Sequence, residues 1–147
     1  MTWRQLLANN EVKRHKTAKK ELDGLRAVIM RDLADASLHR LSADRRFATA
    51  YNAALQAAKM AIACAGYRVA GAGHHRISLE AVRLAIGKAA DPYSDYFDLC
   101  RRKRNVIDYD DAFVATETEA QEIVVKAREF VEMIEQWIAK FHPSLKA

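Results

Sequence analysis

One segment of the chain combines charged and polar residue types in an unusual way: residues 98–110, which read DLCRRKRNVIDYD. On a helix, residues three and four positions apart share a face. That spacing predicts one polar stripe, made of Asp98, Arg102, Asn105 and Tyr109. Guanidinium forks match phosphate oxygens, an Asn amide can hydrogen-bond a base or ribose, and a Tyr ring can stack on a base. The segment therefore predicts a nucleotide or RNA site.

A second stripe lies beside the first and carries Arg101, Arg104 and Asp108. We assign the nucleotide or RNA contacts to the basic run and its acidic neighbour: Arg101, Arg102, Lys103, Arg104 and Asp108. The alternative is two ordinary four-spaced ion pairs, Arg102 with Asp98 and Arg104 with Asp108, each adding roughly 0.2 to 0.5 kcal/mol to the helix. Four consecutive basic residues exceed what those two acids neutralise, and spacing alone leaves both interpretations open.

Two adjacent histidines, His74 and His75, are possible accessory residues because imidazole titrates near neutral pH. They have no carboxylate or Cys at ligand spacing, so we predict no metal site and interpret them as a loop cap or a core edge. In space they could still converge on the Arg102 stripe. Nucleophile motifs, Gly-rich phosphate loops and paired catalytic carboxylates are missing, and we predict no cofactor.

The composition predicts one helix-rich domain spanning residues 1–147, with a core at about 17–141. Half of the 147 residues are apolar, 29% are charged, and there are only 5 Gly and 2 Pro, which excludes a disordered or fibrous chain. The net charge of +5 is concentrated at residues 101–104 and at residues 13–20, and we interpret the latter as a solvated face. Cys64 and Cys100 are expected to be buried free thiols. A spanning segment and a signal peptide are both missing, so we expect no membrane association and a cytoplasmic location.

Five segments repeat apolar residues at helical spacing, and none alternates as a half-buried strand does. This pattern predicts an all-α fold, an up-and-down antiparallel bundle of four to five helices. A further turn of helix is expected at residues 3–7. The predicted helix starts are Thr17, Ser42, a position after His75, Asp91-Pro92, and a capping box of Thr116 and Glu119. The predicted ends include Ala36, Gly66 and Pro143.

From Arg101 to Tyr109 the sequence resembles the HEPN superfamily of small helical bundles, whose name refers to nucleotide binding. The likeness extends to further short segments: Arg45-Arg46-Phe47, Tyr51-Asn52-Ala53-Ala54-Leu55, Ala65-Gly66-Tyr67-Arg68 and Gly73-His74-His75. Many HEPN proteins are toxin ribonucleases encoded beside a nucleotidyltransferase antitoxin. They act as dimers that join two copies of an Arg, four to six variable residues, then His motif. The resemblance thus implies a homodimer, a nucleotidyltransferase antitoxin partner and an RNA or nucleotide ligand.

The motif can be placed on this chain in two registers. In the first, Arg102 takes the family's Arg, Ile107 stands at the His position, and Tyr109 matches a Tyr that one branch modifies by nucleotidyl transfer. In the second, Arg104 and Asn105 match the family's frequent Arg-Asn pair, and Tyr109 stands in place of His. The candidate catalytic residues are therefore Arg102, Arg104, Asn105 and Tyr109.

Three functions follow from these observations. The first is a nucleotide- or RNA-binding module that belongs to a toxin-antitoxin or stress-response pair. The second is a metal-independent ribonuclease that uses Arg104, Asn105 and Tyr109, with arginines lowering the pKa of the phenol. The third is a non-catalytic dimeric scaffold whose basic helix serves only a partner contact.

Overall fold

The computed structural model describes residues 1–109 and 112–147, and for residues 108 and 109 it describes the backbone. Within these residues the fold consists of six α-helices and one two-stranded antiparallel ribbon, so the all-α prediction is confirmed. The elements are α1 (Trp3–Ala8), β1 (Val12–Arg14), α2 (Lys19–Ala36), α3 (Ala43–Cys64), β2 (Tyr67–Val69), α4 (His74–Ile86), α5 (Asp91–Tyr109) and α6 (Glu117–Phe141).

The polar side chains that cap two helices are where the sequence predicts them. Ser42 accepts from the backbone N–H of Arg45 at the start of α3, and Thr116 and Glu119 form the expected capping box at the start of α6. The prediction for Thr17 is wrong: Ala18 is the N-cap of α2, because the Thr17 hydroxyl donates to the Glu21 carboxylate at 2.8 Å instead.

The two-stranded ribbon is an addition to the predicted helices. Val12 pairs with Val69, Lys13 with Arg68 and Arg14 with Tyr67. Each strand has only three residues, which is too short for alternation to be visible in the sequence. The ribbon places the start of the chain against the turn after α3.

The central element is α3, which packs against α2, α4, α5 and α6. Most of its alanines are buried and let neighbouring helices approach closely, so the main core surrounds this helix. A second, smaller hydrophobic cluster joins α1 and the ribbon to α3 and α4: Leu6, Val12, Ile62, Ile77 and Ala81. In addition, the ring of Trp3 stacks on the ring of Tyr67 at 4.1 Å between centroids.

Two buried arginines fix α2 and α3 relative to α6. Arg26 on α2 donates to both carboxylate oxygens of Glu135, at 2.8 and 2.9 Å, and to the carbonyl of Leu145 at 2.7 Å. Arg46 on α3 donates to the carbonyl of Ala36 and to Glu117, both at 2.9 Å. These charge-assisted bonds satisfy polar groups that burial would otherwise leave without a partner.

Both cysteines are free thiols, and burial raises the pKa of Cys100 to about 12 and that of Cys64 to about 11. Cys100 is buried as predicted, whereas Cys64 is only half-buried. Among the residues described, no helix is both long and apolar enough to cross a membrane.

Candidate functional site

The N-terminus of α4 meets the polar edge of α5 in an open groove with a volume of about 330 Å³. Its walls are Gly73, His74, His75 and Arg76 from the start of α4, and Arg101 and Asn105 from α5. Gly73 adopts a left-handed conformation with φ of 73°, which turns the chain into the helix at little cost. The tight turn after the ribbon thus brings the two histidines to the basic helix, as the sequence had left open.

His75 contacts a buried tyrosine of α3. The hydroxyl of Tyr51 lies 3.4 Å from Nδ1 of His75, and only 1% of Tyr51 is exposed. The ring of His74 meets the ring of His75 edge to face at 4.7 Å between centroids. These contacts fix the direction of the His75 ring toward the groove side of α4.

Burial lowers the pKa of His75 to about 4, and the positive charges of His74, Arg104, Lys59 and Arg101 lower it further in the same direction. The imidazole is therefore neutral at pH 7. A neutral imidazole can accept a proton or a hydrogen bond, whereas an imidazolium can only donate.

Two arginines of α5 face this part of the fold. The guanidinium carbon of Arg104 lies 5.8 Å from the centroid of the Tyr51 ring, a cation–π distance. Arg101 donates from Nε to Asp98 at 3.0 Å. Arg101 and Arg104 both keep the phenol of Tyr51 in a positive field, although burial is the largest influence and raises the pKa of Tyr51.

The side chains of the basic run 101–104 have partners in several different parts of the fold. Arg102 is 70% exposed and lies 3.8 Å from Asp98, so Asp98 binds Arg101 more closely than its predicted partner. Lys103 turns to the opposite side, where it forms an ion pair with Glu119 and lies 6.0 Å from the Phe47 ring. Of the run, Arg101 is the residue that lines the groove.

The remaining predicted site residues either lie outside the groove or have side chains that the structure does not describe. Asp108 and Tyr109 belong to the last turn of α5, and their side chains lie outside the described residues, so the Arg104–Asp108 pair and the roles of Tyr109 stay predictions. Ile107, at the family's His position, is half-buried and packs against the main core. Ile107 therefore contributes to the packing of the core at this position.

The groove can bind an anion. Arg101 and Arg76 supply two guanidinium groups, and Asn105 supplies an amide. Of the side chains that the structure describes, none caps the N-terminus of α4. The first amide N–H groups of a helix have no intrahelical partner and carry partial positive charge, which favours a phosphate. Within the described ranges, His, Cys, Asp and Glu nowhere form a group of three that could hold a metal ion.

Sequence reasoning did not assign a site role to Tyr51 or Arg76. Tyr51 fits the apolar stripe of α3, and its hydroxyl reaches His75 across 24 residues of sequence. Arg76 directly follows the histidine pair, and its place in the groove follows from the direction in which α4 starts. No fixed spacing in the sequence predicts a site role for Tyr51 or Arg76.

A family model described as HEPN domain matches residues 26–137, about three quarters of the 147 residues. The match starts inside α2 and ends inside α6, so it includes the groove. No curated protein and no solved structure matches the chain.

Proposed function

Since this chain belongs to the HEPN domain family, we propose that it is an RNA- and nucleotide-binding module and that the groove between α4 and α5 is its contact surface. The observation that carries the proposal is the meeting of His75, Arg76, Arg101 and Asn105 in one open groove. Arg101 comes from the basic segment that resembles the family motif, and the other helix adds polar groups to it.

The charge of the groove supports an anionic ligand. Within the described part of the chain, Arg101 pairs with Asp98, and the one acid near Arg76 is Glu11 at 3.8 Å. The histidines add hydrogen-bonding capacity without a negative charge. A phosphodiester would satisfy the guanidinium groups by charge-assisted hydrogen bonds, and Asn105 could contact a base or ribose.

The test is a salt series of RNA-binding measurements with purified protein, using a single-stranded oligonucleotide. Arg101→Gln should weaken binding at least tenfold at low salt and reduce the slope of log K against log salt, because one phosphate contact is lost. Arg40→Gln is the matched control, since Arg40 is exposed in the loop between α2 and α3. Equal affinities of the Arg101 variant and the parent would contradict the proposal.

The same series ranks the arginines of the basic run. Arg102 is exposed and does not line the groove, so Arg102→Gln should cost less affinity than Arg101→Gln. A larger loss with Arg102→Gln would favour the first motif register over the groove.

A second candidate is a metal-independent ribonuclease. The observation that favours it is a neutral imidazole, His75, in the same groove as Arg101. Such a base can take the proton of a ribose 2′-hydroxyl while that oxygen attacks the adjacent phosphorus; the 5′-oxygen leaves with a proton from solvent, and a 2′,3′-cyclic phosphate remains. Arginine would stabilise the charge that develops on the phosphate.

The two residues that could move the proton are His75 and, on the second register, Tyr109. RNA cleavage in the presence of a chelator should fall at least a hundredfold in His75→Gln if the imidazole is the base, and in Tyr109→Phe if the phenol is. Binding of uncleavable RNA should fall far less than cleavage in both variants, because the guanidinium groups of the groove remain. Cleavage that continues unchanged in both variants would exclude both residues as the base and contradict this mechanism.

HEPN domains commonly form dimers, and we propose that this chain forms a homodimer through the outer face of α5. Leu99 and Val106 are seven residues apart on this face and are 66% and 44% exposed. Leu99→Glu should convert a dimer into a monomer in sedimentation equilibrium, whereas Met30→Glu, at an apolar residue of α2 that is 72% exposed, should not. A dimer that survives Leu99→Glu would place the interface elsewhere.

The partner in a toxin-antitoxin or stress-response pair would be a nucleotidyltransferase antitoxin. We propose Tyr109 as its target: the phenol oxygen would attack the α-phosphorus of a nucleoside triphosphate and release pyrophosphate. Intact-mass spectrometry after co-expression with the neighbouring gene should show an added nucleotide that is lost in Tyr109→Phe. An unmodified mass would support the scaffold function, in which the basic helix only contacts a partner.

A further inference from the structure

A second cavity lies beside the groove, between the ribbon, the start of α2, α3 and the start of α4. Its volume is about 310 Å³. Its apolar wall consists of Leu25, Ile62, Ala63, Tyr67 and Val69, and its polar wall consists of His15, Glu21, Lys59, Arg68 and His74.

Among the described residues, Lys59 is the half-buried cation of this cavity, and it has no counterion. It is half-buried on α3, burial lowers its pKa, and among the described residues it forms neither a hydrogen bond nor an ion pair. The acid in the wall, Glu21, is already bound to the His15 ring at 2.9 Å and to the Thr17 hydroxyl at 2.8 Å. An ammonium group that loses water without gaining an anion is unfavourable, so a ligand anion would stabilise this site.

The ribbon adds more positive charge at the same place. Lys13 lies directly opposite Arg68 in the antiparallel pair, and both side chains are exposed. Like charges in directly opposite positions destabilise a ribbon. Neither residue has an acidic partner within the described chain, so the cationic surface beside the cavity is not neutralised internally.

The apolar wall suits a planar ring. One face of the Tyr67 ring is covered by Trp3, which stacks on it at 4.1 Å with an angle of 9° between the planes. This contact fixes the orientation of the phenol ring that contributes to the wall. Aromatic rings fixed in this way are the surfaces on which single-stranded nucleic acids place their bases.

The cavity and the groove are neighbours, because His74 lines both. Lys59 and Arg101 also both act on the pKa of His75 through their positive charges. One strand that lies along Arg101 and His75 would pass His74 to reach Lys59, so two of its phosphates would meet the two cations.

We infer that the cavity binds one nucleotide of the same RNA strand that occupies the groove, with its base against the apolar wall and its phosphate at Lys59. This inference rests on the proposed function and narrows it to single-stranded RNA, since a base that is paired in a duplex cannot enter the cavity. The ribbon is then part of the RNA-binding surface.

The experiment measures the affinity of an octauridylate, of a duplex of the same length and of uridine monophosphate. Lys59→Met keeps the length of the side chain and removes its charge. It should weaken octauridylate binding about tenfold and lower the salt slope by about 0.7, the share of one single-strand phosphate contact. Duplex binding should not change. Lys88→Met is the matched control, because Lys88 is exposed just beyond the C-terminal end of the thirteen-residue α4, roughly 20 Å from the cavity at about 1.5 Å per residue.

Each other outcome has a separate meaning. If Lys59→Met binds octauridylate as the parent does, the inference is overturned; if that variant loses only uridine monophosphate, the cavity holds a free nucleotide and the strand path is wrong. An equal loss for octauridylate and duplex also overturns it, because the lysine would then act only through charge. Arg101→Gln tests the groove separately: unchanged octauridylate affinity in that variant contradicts the proposed function itself.

Crosslinking provides a readout on the unaltered protein. Octauridylate that carries 4-thiouridine should crosslink to β2, mapped by mass spectrometry to the peptide with Tyr67. Crosslinks confined to α4 and α5 would overturn the inference even if Lys59→Met failed to fold.

Discussion

The pKa of His75 gives a prediction that joins the site to the stability of the fold. An unperturbed histidine has a pKa of 6.5, and His75 has a pKa of about 4 in the folded chain. Between these values the unfolded chain binds more protons than the folded chain, so the free energy of unfolding must fall as the pH drops below 6.5. Above pH 6.5 this contribution is fully present, and the loss is complete only near pH 4.

The magnitude follows from the two pKa values. At pH 5 the difference corresponds to about 2 kcal/mol, and solvent screening of the partly exposed ring reduces it to about 1 kcal/mol. For a chain of 147 residues this equals a decrease in Tm of about 3 °C between pH 7 and pH 5. In His75→Gln this part of the pH dependence should disappear, whereas His39→Gln, at an exposed position, should retain it.

The assay is thermal or urea unfolding at pH 7, 6 and 5, combined with an NMR titration of the histidine ring protons. An NMR pKa of 6 or higher for His75, or the same pH dependence in parent and His75→Gln, would refute the reasoning. Binding of RNA should raise the pKa of His75, because a nearby phosphate favours the imidazolium.

Further predictions concern the scaffold, and urea unfolding tests the first two. Arg26→Met should lower the free energy of unfolding by about 3 kcal/mol, since the Arg26 side chain bonds two other parts of the chain, and Arg40→Met should change it by less than about 0.5 kcal/mol; similar losses would contradict this. Gly87 has φ of 100°, so Gly87→Ala should cost about 1 to 3 kcal/mol, whereas Gly24→Ala, inside α2 with nothing within 4 Å, should gain up to about 1 kcal/mol; a stabilising Gly87→Ala would be the contrary result. Cys100 should react with iodoacetamide at pH 8 far more slowly in the folded protein than in urea, because burial raises its pKa to about 12; equal rates would contradict its burial.

The sequence predicts local features well, because capping and helical periodicity depend on neighbours within one or two turns. Ser42 and the Thr116–Glu119 box are confirmed for this reason. Asp91 is within one residue of its prediction: a short 3-10 turn precedes it, so α5 already includes Asp91.

The site was harder to predict because it depends on how helices are rotated against each other. A four-three-four spacing groups Asp98 with Arg102, yet packing of α5 on α3 and α4 turns Arg101 into the groove and Arg102 to solvent. A rotation of α5 about its axis by one residue position determines whether Arg101 or Arg102 lines the groove. The sequence of α5 alone does not determine this rotation. The contact between Tyr51 and His75 likewise arises from three-dimensional packing.

The small hydrophobic cluster under α1 and the ribbon has a consequence for how the protein opens. It contains only five buried residues and is separate from the core that holds α2, α3, α5 and α6 together. Cooperative units with few buried contacts open at a lower free energy than the whole domain. The backbone amides of His15 and Ala70, which donate across the ribbon to the carbonyls of Gly66 and Glu11, should therefore exchange with deuterium earlier than those of α3. Each local opening of the ribbon would uncover Lys59 while the helical bundle stays folded. The rate of this opening, rather than diffusion, would then limit how fast a base enters or leaves the cavity beside Lys59.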